Sequence, residues 1–147
     1  MISYRIDAAG ARAHLFRVTL RVARPAREQV VSLPVWIPGS YLVREFARHV
    51  SGLRATQGRR ELPIEQLDKA SWRVRCDGRA ALTLGYSVYA FDPSVRAAFL
   101  DADRGFFNGT SVCLRVHDRE AEPHAIVFGS LPRGWQVATA MPAGKDG

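Results

Sequence analysis

Cysteine is scarce in this sequence, with Cys76 and Cys113 the two examples among 147 residues. Two cysteines are too few for a disulfide-stabilised scaffold, and their separation does not match the paired spacing of a zinc knuckle. We therefore expect both to be free thiols in a reducing compartment. The N-terminal residues show no basic segment followed by an apolar one. We predict no secretory signal and a cytoplasmic location, with the periplasm as the alternative.

Long apolar runs are also missing from the sequence. None approaches the roughly 20 residues that a membrane-spanning helix needs, so we expect no membrane partner. Hydrophobic residues nevertheless make up 47% of the chain and charged residues 24%, which is typical of a globular protein and not of a disordered one. The length is typical of one domain, and we predict a single domain over residues 1–147.

Lysine is nearly absent: the basic residues are 19 arginines and two lysines, Lys69 and Lys145. The net charge of the chain is +7. Residues 1–75 carry 14 basic and 6 acidic groups, whereas residues 76–147 carry 7 and 8. A basic half is one signature of nucleic-acid binding. The arginines, however, alternate with apolar residues and form no run of five like charges. This pattern favours solvated sheet faces, and we predict no nucleic-acid partner.

The sequence lacks the motifs that mark common catalytic sites. There is no HExxH zinc motif, no GxSxG nucleophile elbow, no phosphate-binding loop and no GxGxxG. His117 and His124 flank an acidic loop and could meet across a hairpin, but we predict no metal site there. Ser40 and Cys113 have no evident partner base, which a nucleophile needs. We therefore predict no catalytic residue.

Hydrophobic residues recur with a period of two along much of the chain. In residues 16–22 they alternate with arginine and threonine, which is typical of a half-buried strand. The same alternation recurs in residues 71–76 and 82–91. Between them lies Asp77-Gly78, a dipeptide that is typical of a tight turn, so these residues predict a hairpin. Further strands are predicted at residues 2–7, 29–35, 50–56, 110–116, 124–129 and 135–141. Eight or nine short strands predict an all-β fold, an antiparallel β-sandwich.

Two stretches interrupt this pattern, residues 37–49 and residues 92–109, and we expect two long irregular or short-helical insertions. The second is longer than most loops in compact domains, and such loops are usually functional or dock against another surface. Aromatic residues are concentrated in both stretches, where core anchoring and ligand binding are alternative roles. Asp101 and Asp103 are either a carboxylate pair or, as we expect, residues that order the loop through backbone N–H groups.

Three segments resemble a known family: residues 33–50 (LPVWIPGSYLVREFARHV), 67–74 (LDKASWRV) and 88–116 (VYAFDPSVRAAFLDADRGFFNGTSVCLRV). They are similar to the N-terminal domain of the glycyl aminopeptidase family, bacterial zinc metallopeptidases with a thermolysin-like catalytic domain and a PDZ domain. The resemblance covers nearly the whole chain. It implies a non-catalytic N-terminal β-domain, a fragment of a longer peptidase that is inactive alone, with zinc held by the absent catalytic domain.

The resemblance also implies roles for two groups of residues. By analogy with related aminopeptidases, the polar segment entering the strand after the long loop holds the free amino end of a peptide substrate: Asn108, Gly109, Thr110 and Ser111. The loop itself is expected to dock against the catalytic domain through Phe99, Asp101, Phe106 and Phe107, or to form a dimer through the exposed docking surface. A free-standing β-sandwich that binds peptide or carbohydrate is the alternative.

Overall fold

The computed structural model describes residues 1–144, in which strands are the main secondary structure. The predicted strands over residues 2–7, 16–22, 50–56 and 124–129 are confirmed. The elements are β1 (Ile2–Gly10), a 3₁₀ helix (Ala11–Ala13), β2 (Leu15–Val22), β3 (Glu28–Ser32), a second 3₁₀ helix (Phe46–His49), β4 (Val50–Gln57), β5 (Arg60–Leu62), β6 (Ile64–Asp68), β7 (Ser71–Arg75), β8 (Leu82–Tyr89), β9 (Ala98–Leu100), β10 (Gly105–Phe107), α1 (Gly109–Val112), β11 (Arg115–Val116) and β12 (His124–Phe128).

The strands form two larger sheets and one small hairpin. The six-stranded sheet has the order β12-β1-β2-β8-β4-β5, the four-stranded sheet has the order β11-β3-β7-β6, and β9 pairs with β10. Pairing is antiparallel except between β1 and β12, which are parallel. The all-β, sandwich-like fold predicted from the period of two is therefore confirmed.

One buried cluster receives side chains from both larger sheets. Leu20 of β2 and Leu84 of β8 enter it from the six-stranded sheet, and Val31 of β3 and Val74 of β7 enter it from the four-stranded sheet. The opposite faces of these strands carry the arginines and threonines, as alternation requires. Burial of one face accounts for the period of two in the sequence.

The predicted hairpin over residues 71–91 is wrong. β7 pairs with β3 and β6, whereas β8 pairs with β2 and β4, so the connection crosses from one sheet to the other. Gln57 holds this crossing, since its side-chain nitrogen donates to the carbonyls of Asp77 and Ala80 at 2.6 and 2.8 Å. Instead of a tight turn at Asp77-Gly78, residues 78–80 form a bend in which the Asp77 side chain accepts from the Arg79 N–H at 2.8 Å, and this connection joins two layers.

Two other predicted strands are also corrected. Residues 110–116 begin with the short helix α1 and only end in β11, because Asn108 caps the helix. Residues 135–141 form no strand. The stretch 92–109 is not merely irregular, since it contains the β9–β10 hairpin. Among residues 1–144, no helix has the length and apolar character needed to cross a membrane.

Candidate functional site

A cleft of about 380 Å³ opens where the two insertions meet. One wall is the second 3₁₀ helix, which contributes Phe46, Arg48 and His49, and the other follows the end of β8. A neighbouring hollow of about 420 Å³ shares several of these residues and extends along residues 42–45. We call the first space the inner cleft and the second the outer hollow. The two insertions singled out in the sequence thus form one continuous concave surface.

Beyond β8 the inner cleft is lined by residues 91–93 and by Ala97 and Ala98, where β9 begins. The backbone N–H of Asp92 donates to the carbonyl of Ala98 at 3.0 Å, and that of Leu100 donates to Ala90 at 2.9 Å. These bonds tie the β9–β10 hairpin to the end of β8. The long insertion is therefore an ordered part of the cleft.

Asp101 orders the turn between β9 and β10. One of its side-chain oxygens accepts from the N–H groups of Asp103 and Arg104 at 2.9 and 2.8 Å. The hydrogen bond from Arg104, followed by that from Asp103, lowers the pKa of the Asp101 carboxyl below its usual value. The loop-ordering prediction is confirmed for Asp101.

The phenylalanines predicted to dock differ in their surroundings. Phe99 stacks against Phe91 with ring centroids 5.4 Å apart, and Arg104 lies over its ring at 5.1 Å. Phe107 packs edge-to-face on Phe16 at 5.4 Å and joins the core. Phe106 is 47% exposed. Of these three rings, Phe106 therefore offers the most surface to a partner, and the docking role stays a prediction.

The segment predicted to hold substrate is a capped turn beside the inner cleft. The side-chain oxygen of Asn108 accepts from the Thr110 N–H at 3.2 Å and from the Thr110 hydroxyl at 2.8 Å. The Ser111 hydroxyl lies 2.7 Å from the Asn108 carbonyl and 3.1 Å from that of Ala97. Ser111 is buried and lines the inner cleft. The structure thus brings Ser111 to the cleft, while the Asn108 oxygen caps α1.

Two tyrosine hydroxyls fix this segment to the six-stranded sheet. Tyr4 donates to the Leu114 carbonyl at 2.7 Å, and Tyr86 donates to the Val112 carbonyl at 2.9 Å. The Leu114 N–H in turn donates to the Tyr86 hydroxyl at 3.2 Å. Burial raises the pKa of both tyrosines, so the hydroxyls stay protonated. The position of α1 is therefore set by the core.

His49 and Asp92 are polar residues of the inner cleft that sequence reasoning missed. Arg48 donates to the Nε2 atom of His49 at 3.3 Å. Burial first, and the Arg48 charge second, lower the pKa of His49, while the Asp92 carboxylate opposes them. His49 is therefore a neutral acceptor at neutral pH. No local sequence pattern around His49 indicates that it lines a cleft. Asp92-Pro93, by contrast, follows a strand and is typical of a turn.

The other candidate nucleophiles and ligands have structural partners. Ser40 accepts a hydrogen bond from Arg44 at 3.2 Å within its own loop. Burial raises the pKa of Cys113 to about 12 and keeps its thiol protonated, and Cys113 follows α1 instead of lying on a strand face. His117 contacts the Ser32 hydroxyl at 2.8 Å, whereas His124 contacts the Glu122 carbonyl at 2.7 Å.

Residues 1–144 contain no group of three or more His, Cys, Asp or Glu side chains placed to hold a metal ion. A structural or catalytic zinc site takes at least three such protein ligands. The described residues therefore do not fit a zinc ion.

Comparison with known proteins identifies a family and similar solved structures. A family model described as the Peptidase M61 N-terminal domain matches residues 3–147. A crystal structure described as an aminopeptidase N family protein from Idiomarina loihiensis is similar at 41% identity and a TM-score of 0.86. The match covers 90% of this chain and 22% of that chain, so this chain spans about a fifth of that protein. No curated protein matches.

Proposed function

The chain belongs to the peptidase M61 N-terminal domain family, and from this premise we propose that it serves a zinc-dependent aminopeptidase as a non-catalytic domain. In this role it supports the catalytic domain and shapes the cleft that receives the peptide. The family match over residues 3–147 is the observation that carries the proposal. The similar structure supports it, because most of that chain lies outside the match.

The chemistry of the described residues supports a non-catalytic role. The serine and cysteine candidates are held by structural contacts, and residues 1–144 offer no metal-binding group. Peptide hydrolysis needs an activated nucleophile and stabilisation of the oxyanion. We propose that the nucleophile and the oxyanion stabilisation come from a zinc-bearing catalytic domain of a longer protein, which also carries a PDZ domain. The cytoplasmic location stays a prediction.

We place the contribution to substrate binding at the inner cleft. Its walls include the aromatic rings of Phe46, Tyr89 and Phe91, with Asp92 among the polar lining residues. A peptide ammonium needs oxygen acceptors when it leaves water. The Ser111 hydroxyl donates its hydrogen to the backbone, so its oxygen keeps lone pairs that can accept, and Ser111 lines the inner cleft. We propose that the capped turn over residues 108–111 holds the amino end through Ser111 and the Thr110 hydroxyl.

The test is a kinetic comparison in the full-length protein. Ser111→Ala removes the acceptor, so we expect KM for an aminoacyl substrate to rise while kcat changes less. Ser3→Ala, on β1 in the six-stranded sheet, is the matched control and should leave KM unchanged. Equal KM values for Ser111→Ala and Ser3→Ala would remove the capped turn from the binding site.

A second function is favoured by the exposed aromatic rings of the inner cleft. Tyr89 and Phe91 are about half exposed there, and stacking on such rings is a common mode of peptide and carbohydrate binding. A free-standing binding module would therefore use this same surface. Saturable binding of a peptide or an oligosaccharide by the isolated chain, abolished by Tyr89→Ala, would favour that function over the aminopeptidase domain.

A further inference from the structure

Residues 35–43 display large apolar side chains to solvent. Tyr41 is fully exposed, and Leu42 and Val43 are 65% and 73% exposed. Val35 and Trp36 of the same loop are also exposed, whereas Ile37 is buried in the core. We call residues 35–43 the apolar loop. Contiguous apolar patches on a protein surface mark sites of interaction.

The apolar loop is held in one conformation by Ser40. The buried Ser40 carbonyl accepts from the Trp36 indole N–H at 2.7 Å, and its hydroxyl accepts from the Arg44 side chain at 3.2 Å. The Arg44 N–H closes the loop on the Val35 carbonyl at 2.6 Å. Gly39 lies between the anchors with φ of +80°, a conformation that favours glycine. The exposed side chains are thus presented on an ordered loop, which lowers the entropy cost of binding.

The apolar loop is continuous with the concave surface described above. Leu42 and Val43 line the outer hollow, which shares Phe46, His49 and Asp92 with the inner cleft. Tyr89 and Phe91 extend the apolar surface on the far side of that cleft. A partner that covers the apolar loop therefore also borders the cleft.

We propose that the apolar loop is the main docking surface for the catalytic domain of the longer chain. The inference rests on the proposed function, because it takes that domain as the partner. In the similar structure, the region that matches this chain makes up 22% of the protein. A domain of this fold is therefore joined there to a much larger part of the same chain. Trp and Tyr side chains each bury roughly 150–250 Å², and such aromatic anchors are enriched among the residues that contribute most to protein interfaces.

A second copy of this chain fits the surface less well than the catalytic domain. The chain carries a net charge of +7, so two copies repel each other overall. The outer hollow itself is lined by charges of both signs: Arg44, Arg48, Glu45 and Asp92. The overall charge is therefore what disfavours a second copy. The proposal also differs from the sequence-based expectation, because it assigns docking chiefly to residues 35–43 instead of Phe99, Asp101, Phe106 and Phe107.

The test is hydroxyl-radical footprinting of the full-length protein, read by mass spectrometry. Tyr41 and Leu42 should be oxidised several-fold more slowly in the native protein than in urea, as expected for side chains covered by another domain. Tyr4, which is buried in the core, gives the rate of a protected tyrosine. Tyr41 oxidised as fast in the native protein as in urea would overturn the proposal. Protection that disappears on dilution to a monomer would also overturn it, because a second copy would then be the occupant.

A variant pair gives an independent measurement in the full-length protein. Val43→Ser removes apolar surface from the proposed interface and should lower the Tm by several degrees. Val127→Ser is the matched control, since Val127 is 51% exposed on β12, and should lower it less. Equal effects of the two substitutions would contradict the proposal.

An aminopeptidase assay on the same preparation separates the two proposals. Activity in a protein whose Tyr41 is unprotected would contradict the docking surface and leave the proposed function standing. Protection of Tyr41 in a protein that hydrolyses no aminoacyl substrate would contradict the proposed function and the catalytic domain as the partner, and would leave the apolar loop as a surface that another domain covers.

Discussion

The Tyr86 hydroxyl donates to the Val112 carbonyl at 2.9 Å, and this bond joins the middle of the six-stranded sheet to the end of α1. The same oxygen accepts from the Leu114 N–H at 3.2 Å. Both sides of the contact are buried. The capped turn beside the inner cleft is therefore positioned by the core and not by its own short helix.

Tyr86→Phe should destabilise the domain, because it leaves the Leu114 N–H without its buried acceptor. An unsatisfied buried polar group costs about 1–3 kcal/mol. The measurement is the free energy of unfolding in urea. Tyr89→Phe, at a half-exposed position on the same strand, is the control and should change stability little. Equal stabilities of Tyr86→Phe and the parent chain would show that the bond is not needed.

Asn108→Ala should weaken the start of α1, because the Asn108 oxygen caps the helix. Loss of such a cap costs about 0.5–2 kcal/mol. Asn108→Asp retains the acceptor and should be close to the parent in urea unfolding. If Asp and Ala were equally destabilising, the side-chain oxygen would not be the stabilising group.

The ion pair of Arg119 with Glu122 predicts a pH dependence of stability. The side-chain hydrogen bond from Arg119 lowers the pKa of Glu122 from 4.5 to about 2. A carboxyl whose pKa is lower in the folded state than in the unfolded chain stabilises the fold at pH values above its unfolded-state pKa. This stabilisation is lost as the pH falls towards 2. Arg119 also donates to the carbonyls of Arg24 and Ala23, so the pair links two segments far apart in the chain.

An NMR titration of the Glu122 side-chain carbons checks this prediction. The midpoint should lie near 2 in the parent chain and move towards 4.5 in Arg119→Gln. The same substitution should reduce the loss of unfolding free energy between pH 4.5 and 2. A midpoint near 4.5 in the parent chain would contradict the ion pair.

Cys113 should resist alkylation in the folded protein, because burial raises its pKa to about 12 and the thiolate is the reactive form. Both cysteines are half-buried, and the pKa of Cys76, which lies on the connection between β7 and β8, is also raised by burial, but by less than that of Cys113. Iodoacetamide at pH 8, followed by peptide mass spectrometry, should modify Cys76 first and Cys113 only in urea. Rapid modification of Cys113 in the native protein would contradict this prediction, because it would show that the thiol is accessible to the reagent.

The period of two predicted strands well where one face is buried, as in residues 16–22. It could not predict which strands pair, because pairing between distant segments is set by packing of both sheets. The Asp77-Gly78 dipeptide is the clearest case: a local hairpin signal lies at a crossing held by Gln57. The resemblance in residues 88–116 did identify the family, which the comparison confirms.

The site was only partly predictable for a related reason. Adjacent burial of Ser111 and Val112 breaks the alternation of a strand, and the Asn108 cap explains why the segment is helical. The meeting of residues 42–49 with Asp92 depends on tertiary packing, and no local pattern marks His49. The side chains of the apolar loop are of types that usually lie in a protein core, and the sequence does not indicate that they are exposed.

The most direct test of the account is to compare the hydrolysis of an aminoacyl substrate by the full-length protein and by this 147-residue chain, each supplied with zinc. We predict activity in the full-length protein and none in the isolated chain, because its described residues provide neither a metal site nor an activated nucleophile. Hydrolysis by the isolated chain, abolished by a substitution within it, would contradict the non-catalytic role.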